Sequence, residues 1–225
     1  TGPGEESILL DAYAEILQTM GDQKSPRLIL IPRKPERFDE VAGLIASRGY
    51  SCVRRTARPN GSKPPQLDAN SVILGDTMGE LRAFYALSDV VFIGRSLVRM
   101  GGSDPMEAAG LGKPIIIGPY TDNFQQPVQA LRGGGALAVV DNLVALIEQL
   151  REWLAESGEL ERRGRRGREI VIANQGATEK TVARLVAILR RAAPPVATSQ
   201  CVDSSLGSQV TGHYNPFSPA SRERV

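Results

Sequence analysis

Short apolar runs alternate with amphipathic segments along most of the chain, and this alternation constrains the fold more than any other feature. The runs are rich in β-branched residues and nearly continuous, as in strands that are buried on both faces of a sheet. Strands that alternate with helices are typical of a parallel sheet wrapped by helices. The runs predicted as strands are Leu28–Ile31, Ser51–Arg54, Ser71–Leu74, Val90–Ile93, Pro114–Ile117 and Ala136–Val140.

The segments between these runs carry apolar residues at helical spacing. The first, Glu5–Met20, opens with two acids, which suit the positive end of a helix dipole. The other predicted helices are Pro35–Arg48, Gly79–Leu87, Pro105–Leu111, Phe124–Leu131, Leu143–Glu156, Leu160–Asn174 and Thr178–Arg191. The sequence therefore predicts an α/β fold, a Rossmann-like doubly wound parallel six-stranded sheet. In such folds, ligands bind beyond the carboxyl ends of the strands.

Composition fits one globular domain, predicted over residues 1–191. The chain has 225 residues, 41% of them hydrophobic, and its net charge of +2 does not indicate a nucleic-acid partner. From Ala192 onward the sequence loses any helical or strand period, so residues 192–225 are predicted to be a disordered C-terminal tail. The single histidine, His213, lies in that tail, which argues against a histidine-based triad or a metal centre.

The loop after the third predicted strand combines glycine with polar residues. Either Thr77 or Asp76 is expected to cap the next helix, whose free amides then point to the carboxyl edge of the sheet. A capped turn without a ligand is the alternative. The candidate nucleotide contacts in this loop are Met78, Gly79 and Glu80.

The segment after the fourth predicted strand holds two glycine-rich turns ahead of a helix. Glycine lets the backbone approach a phosphate closely, and a helix start offers free N–H groups. Glu107 falls in the first turn of that helix, where its carboxylate can accept hydrogen bonds from both hydroxyls of a ribose. The alternative is that Glu107 only complements the helix dipole. The other candidate nucleotide contacts here are Ser96, Gly101, Gly102, Ser103 and Asp104.

Two further loops supply polar groups to the same predicted edge. Arg33 follows the first strand and is a candidate to neutralise a phosphate or a sugar carboxylate, with a solvated basic turn as the alternative. Asn123 follows the fifth strand as a candidate nucleotide contact or a simple N-cap. The arginine-rich run Glu161–Glu169 is interpreted as an exposed helix face, because acids interrupt it and no aromatic residue accompanies it.

Six motifs in this order resemble the Kdo (3-deoxy-D-manno-octulosonic acid) transferases of lipopolysaccharide core biosynthesis, which belong to the GT-B glycosyltransferase superfamily. The resemblance covers about residues 1–190. It is carried by Gly4-Glu5-Glu6, Pro32–Phe38, Gly75–Leu81, Gly94–Leu97 with Gly101–Ala108, Leu111–Pro114, and Gly118–Phe124. The chain departs from the family pattern at Lys34, Ser103, Asp104, Tyr120 and Ala108, so the resemblance constrains the nucleotide more than the sugar.

This resemblance implies the C-terminal, donor-binding half of an inverting, metal-independent transferase without a cofactor. The donor would be CMP-Kdo, and the acceptor, a lipid A precursor, would bind an N-terminal domain that also carries the general base, at the cytoplasmic face of the inner membrane. The chain alone is therefore expected to be inactive. Its own contribution would be Arg33 and amides near Gly101 and Gly102, which would stabilise the departing phosphate. The alternatives are a UDP-sugar transferase of the same superfamily and a degenerate binding domain.

Overall fold

The computed structural model of the protein describes residues 1–20, 26–57, 67–68, 70–156 and 158–192. It confirms the Rossmann-like α/β fold, and each predicted strand and helix is present, with most bounds shifted by one to a few residues. The strands are β1 (Ile29–Leu30), β2 (Ser51–Arg54), β3 (Ser71–Leu74), β4 (Val91–Ile93), β5 (Ile115–Ile117) and β6 (Leu137–Val139). The helices are α1 (Glu5–Met20), α2 (Phe38–Ser47), α3 (Leu81–Leu87), α4 (Met106–Gly110), α5 (Gln125–Gly133), α6 (Leu143–Ala155), α7 (Glu159–Ala173) and α8 (Ala177–Ala192).

All strand pairs are parallel, but the ladder is divided in two. One sheet has the order β1-β3-β2 and the other the order β4-β5-β6, so the prediction of a single six-stranded sheet needs correction. The division falls between β1 and β4, which are the edge strands of their sheets and share no ladder hydrogen bond within the described residues. Local sequence patterns reveal strands but not their partners, which explains why the break was not predicted.

Helices cover both faces of the sheets. Ile116 of β5 packs in one core cluster with residues of α1, α2 and α6, whereas its neighbours Ile115 and Ile117 pack in a second cluster with residues of α4 and α5. Successive side chains of a strand point to opposite faces, so this alternation places a helical layer on each side. The all-apolar sequence of β5 follows from its burial on both faces.

Helix starts follow local chemistry. The side chain of Asn142 accepts a hydrogen bond from the backbone N–H of Ala145 at 3.0 Å and so caps α6. Pro35 begins a short 3-10 helix, Pro35–Arg37, that leads into α2. Pro105 is the residue just before α4. Proline thus lies where its missing N–H removes no helical bond.

Residues 1–177 form one compact unit, and the chain from Thr178 onward is assigned to a second. Within the second unit, α8 is amphipathic and exposes several apolar side chains, among them Val182, Leu185 and Ile188. The predicted disordered tail, residues 192–225, lies outside the described residues except for Ala192, which ends α8. Among the described helices, none combines the length and the apolar character that crossing a bilayer requires.

Candidate functional site

A cavity of about 770 Å³ opens at the carboxyl ends of β1, β3 and β4. The loops that follow these strands form its rim, because the carboxyl ends of parallel strands meet at one edge. Of the predicted contacts, the rim carries Arg33, Met78, Gly79, Ser103, Asp104 and Glu107. The structure therefore brings together residues that lie up to 74 positions apart in the sequence.

Glu107 lies in the first turn of α4, as predicted. Two residues before this helix, the carboxylate of Asp104 accepts a hydrogen bond from the backbone N–H of Met106, the first helical residue, at 2.9 Å. The side chain of Glu107 is 42% exposed, and its nearest cation, Arg82, lies 3.8 Å away and is 70% exposed. An exposed pair of this kind is weak, so a ligand can compete for the carboxylate of Glu107.

Tyr85 of α3 also lines the cavity. Burial first, and then the negative charges of Glu107 and Asp104, together raise the pKa of its phenol to about 12. The phenol therefore stays protonated at neutral pH and can donate a hydrogen bond beside these two carboxylates.

The β3 loop presents Met78, which is 67% exposed, and Gly79, whose φ of +82° suits glycine. Glu80 does not line the cavity. Its carboxylate accepts a hydrogen bond from the Thr77 hydroxyl at 2.6 Å and lies 2.9 Å from the guanidinium of Arg55. The hydrogen bond from Thr77, followed by that from Arg55, lowers the pKa of Glu80.

The start of α3 has no side-chain cap among the described residues, and the Thr77 hydroxyl donates to Glu80 instead, so the capping prediction is wrong for Thr77 as well as for Asp76. The carboxylate of Asp76 is buried and accepts hydrogen bonds from the backbone N–H of Thr56 at 2.9 Å and from the Thr56 hydroxyl at 2.5 Å. Asp76 thus ties the end of β3 to the chain that follows β2.

The loop after β4 is held by the buried carboxylate of Glu5. One oxygen accepts from the backbone N–H groups of Ser96 and Leu97, at 2.7 and 3.0 Å. The other accepts from the N–H groups of Arg95 and Gly2, at 2.5 and 2.8 Å. Arg95 has a φ of +63°, an unusual backbone conformation for a residue with a side chain, and Glu5 bonds the amide of this residue.

Ser96 lies behind the cavity wall rather than on it. Its side chain is fully buried, donates to the carbonyl of Ile93 at 2.5 Å and accepts from the backbone N–H of Gly118 at 2.8 Å. It therefore joins the ends of β4 and β5. This role does not require a nucleotide.

The predicted phosphate-binding turn is packed against the loop after β5. The backbone N–H of Gly102 donates to the carbonyl of Arg95 at 2.8 Å, so this amide is already engaged and the prediction that it meets a phosphate needs correction. The carbonyl of Gly101 accepts from the backbone N–H of Asn123 at 3.2 Å. A Cβ on Gly101 would lie 2.3 Å from the Asn123 side chain, so Asn123 covers this turn and does not cap a helix.

Three residues of this region, Glu5, Arg95 and Tyr85, did not appear among the predicted contacts. The acid pair Glu5 and Glu6 was visible in the sequence but was interpreted as a helix start. Glu6 is instead buried against the guanidinium of Arg37, 2.7 Å away, and this pairing raises the pKa of Arg37. Two adjacent buried acids with separate partners produce no periodic pattern in the sequence, which explains why Glu5 was not among the predicted contacts.

A comparison with models of protein families gave no match. Among curated proteins, the chain is 36% identical over 183 residues to 3-deoxy-D-manno-octulosonic acid transferase from Bordetella pertussis, covering 81% of the chain and 42% of the relative. It is 34% identical over 194 residues to the protein of the same name from Haemophilus influenzae, covering 85% of the chain and 43% of the relative. The chain thus spans less than half the length of these relatives.

Among solved structures, the chain resembles the C-terminal CMP-Kdo binding domain of WaaA from Acinetobacter baumannii. The sequence identity is 31% and the TM-score 0.66, and the match covers 76% of this chain and 85% of that domain. The chain belongs to the family of 3-deoxy-D-manno-octulosonic acid transferases.

Proposed function

We propose that this chain is the donor-binding half of an inverting, metal-independent glycosyltransferase that transfers Kdo from CMP-Kdo to a lipid A precursor. The observation that carries the proposal is the cavity at the carboxyl edge, where loops from three strands gather an exposed carboxylate, a cation and glycine turns. The similarity to a CMP-Kdo binding domain supports CMP as the nucleotide.

Glu107 is the proposed ribose anchor. Its carboxylate is exposed on the rim, and two carboxylate oxygens can accept hydrogen bonds from the two hydroxyls of a ribose. The base would then lie beside Met78, whose loop borders the same rim. Backbone groups of that loop are the candidates to recognise the edge of the cytosine.

Arg33 is the proposed stabiliser of the leaving group. Its side chain is exposed on the rim, and its backbone N–H donates to the carbonyl of Thr1 at 3.3 Å, which fixes the chain at the end of β1. A guanidinium there offsets the charge that develops on the phosphate as the sugar departs. Ser103 and Asp104 on the opposite rim are the proposed remaining contacts.

The remaining machinery is assigned to another domain. We infer that the acceptor site and the general base lie in an N-terminal domain of a longer protein at the cytoplasmic face of the inner membrane, and that this chain alone binds the donor without transferring it. The chain spans 42–43% of its curated relatives, which leaves room for such a domain.

Calorimetric titration of CMP into the parent chain and into Glu107→Gln tests the nucleotide site. A hydrogen bond to a charged group contributes about 1.5–3 kcal/mol, so Glu107→Gln should weaken CMP binding by roughly tenfold or more. Glu148→Gln is the matched control, because Glu148 is an exposed acid on α6 that is absent from the cavity lining, and it should bind CMP like the parent.

Three outcomes contradict the proposal in different ways. Equal affinity of the parent for CMP and for 2′,3′-dideoxy-CMP would show that the ribose hydroxyls are not recognised. Tighter binding of UMP than of CMP would favour a UDP-sugar transferase. A parent chain that binds neither nucleotide would favour a degenerate binding domain.

A further inference from the structure

The cavity continues from the carboxyl edge into a deep cleft between β1 and β4, lined on either side by those two strands. Each strand is the edge of its sheet. In the first sheet, the carbonyls of Leu28 and Leu30 accept from Ile73 and Gly75 of the β3 segment. Backbone groups of neighbouring strand residues point to opposite sides, so the N–H and C=O of Ile29 point away from β3, into the cleft.

The edge of the second sheet has the same arrangement. The backbone N–H of Val91 donates to the carbonyl of Pro114, on the β5 side. The N–H and C=O of Phe92 therefore point away from β5, and Phe92 lines the cleft opposite Ile29. Two parallel edges thus face one cleft, each with backbone groups that have no ladder partner within the described residues.

The backbone of Thr1 already enters this cleft at one end. Its nitrogen donates to the carbonyl of Ile31 at 2.7 Å, and its carbonyl accepts from the N–H of Arg33 at 3.3 Å. Bonds to the residues on either side of Pro32 are the pattern of a parallel ladder. On the other side, a Cβ on Gly94 would lie 2.7 Å from the Cα of Thr1, so Thr1 sits between the ends of β1 and β4.

We propose that the cleft is the slot of a further parallel β-strand, formed by the residues that directly precede Thr1 in a longer protein. This strand pairs with β1 on one side and β4 on the other and joins the two sheets into one. A strand that runs parallel to β1 and ends at Thr1 must lie beside Leu30 and Ile29, which is where the cleft runs.

The lining defines the chemistry of the strand. One side of the cleft is formed by apolar residues of α1 and α6, including Ala12, Ile16 and Leu150, and the other by α3 with Leu81 and Leu87. A strand between these helices is buried on both faces, so its sequence should be a continuous apolar run rich in Val and Ile. Thr1 lies beside Pro32, and the cleft is lined along the chain from Pro26 to Ile31, which leaves room for about six preceding residues at ~3.3 Å each.

Other occupants fit the observations less well. The tail of this chain or a second copy of it could cover apolar side chains, but neither explains the ladder bonds that Thr1 makes with Ile31 and Arg33. The inference is independent of the nucleotide assigned above, because it rests on the pairing of strand edges and not on the cavity rim.

Amide hydrogen exchange tests the slot. The chain is compared with a version extended by the six residues that precede Thr1 in the longer protein, and with a control extension in which two alternate residues are proline. Proline removes ladder donors, so only the first extension should protect the amides of Ile29 and Phe92, by about tenfold or more. The amides of Ile73 and Val91 already donate to carbonyls and serve as internal references.

Unchanged exchange at Ile29 and Phe92 in the first extension would overturn the proposal, as would equal protection in both extensions. Protection of these amides in the unextended chain, lost when residues 193–225 are deleted or when the chain is diluted, would assign the slot to the tail or to a second copy and would also overturn the proposal.

If the proline extension prevents folding, a synthetic peptide of the six residues, added to the unextended chain, replaces the comparison of the two extensions. The peptide should protect the same two amides, and no protection would overturn the proposal. CMP affinity is not used as a readout, so failure here is distinct from failure of the donor assignment.

Discussion

Glu5 shows how a single side chain shapes the cavity rim. Its carboxylate accepts four backbone N–H bonds, three of them from consecutive residues, Arg95–Leu97. Buried donors of this kind require an acceptor, because an unpaired buried N–H group destabilises the fold by about 1–3 kcal/mol. A fully buried acid at the start of α1 is therefore explained by the loop that it holds.

Replacement of Glu5 by glutamine should destabilise the chain by about 2–4 kcal/mol. An amide group puts an NH₂ where a carboxylate oxygen accepted two N–H bonds, which leaves two donors without an acceptor. Urea denaturation measures the change. Glu15→Gln on the same helix is the control: Glu15 is half-exposed and lies 3.8 Å from Arg151, so its loss should change stability by less than about 0.5 kcal/mol. Equal midpoints for the parent and Glu5→Gln would refute this role.

Residue roles were predictable from the sequence only where they depend on near neighbours. The position of Glu107 in the first turn of α4 follows from the glycines and the proline before it, and the structure confirms that position. Three of the four amide partners of Glu5 lie 90–92 positions away, and the partner of Asp76 lies across a neighbouring strand. No local pattern encodes such contacts.

Among the elements, α7 confirms the interpretation of the arginine-rich run only in part, because the guanidinium of Arg163 stacks over the ring of the buried Trp153, 4.6 Å from its centroid. Arg165, Arg166 and Arg168 are exposed, in agreement with an exposed helix face. The glycines between these arginines lie on the opposite face of the helix. Gly164 and Gly167 are buried, where α7 packs closely on the end of α4 and on β6.

Gly164→Ala should destabilise the chain by about 3 kcal/mol. A Cβ on Gly164 would lie 1.8 Å from the carbonyl oxygen of Gly112, and a backbone atom cannot move away as easily as a side chain. Gly43 of α2 is the control, because a Cβ there meets nothing within 4 Å. Gly43→Ala should therefore stabilise the chain by roughly 0.5–1 kcal/mol, through the helix preference of alanine. Thermal or urea unfolding compares the two, and similar effects of both substitutions would contradict this packing.

Strand positions were predictable because short apolar runs rich in β-branched residues are typical of buried strands. Two predicted strands, Ser51–Arg54 and Ser71–Leu74, have the observed bounds. The break between β1 and β4 was not predictable, because pairing depends on which edges meet and not on the composition of either strand.

At the scale of the molecule, burial raises the pKa of three tyrosines in the described part of the chain, Tyr13, Tyr50 and Tyr85. A group whose pKa is higher in the folded state holds its proton more tightly there than in the unfolded chain. Its contribution to stability is complete below the ordinary value of 10 and is lost as the pH rises through the folded value. For Tyr85 that value is about 12.

The free energy of unfolding should therefore fall between pH 10 and about pH 12, and Tyr85→Phe should reduce that slope. Urea unfolding at a series of pH values measures the slope. The ultraviolet difference titration between the parent and Tyr85→Phe isolates the phenol itself. A difference signal that titrates near pH 10 would show that this phenol is not desolvated, and the slope should then be the same in both proteins.

The bonds of Glu5 also carry a consequence for the order in which the chain folds. These bonds close a loop of about ninety residues. Bringing the ends of that loop together lowers the conformational entropy of the chain before the bonds can stabilise it. We expect these bonds to be absent from the folding transition state, so that Glu5→Gln accelerates unfolding and leaves the folding rate nearly unchanged. During synthesis, the amides of Arg95–Leu97 can find their acceptor only when β4 has docked beside the start of α1. The loop that borders the cavity would then be among the last segments of the chain to become rigid.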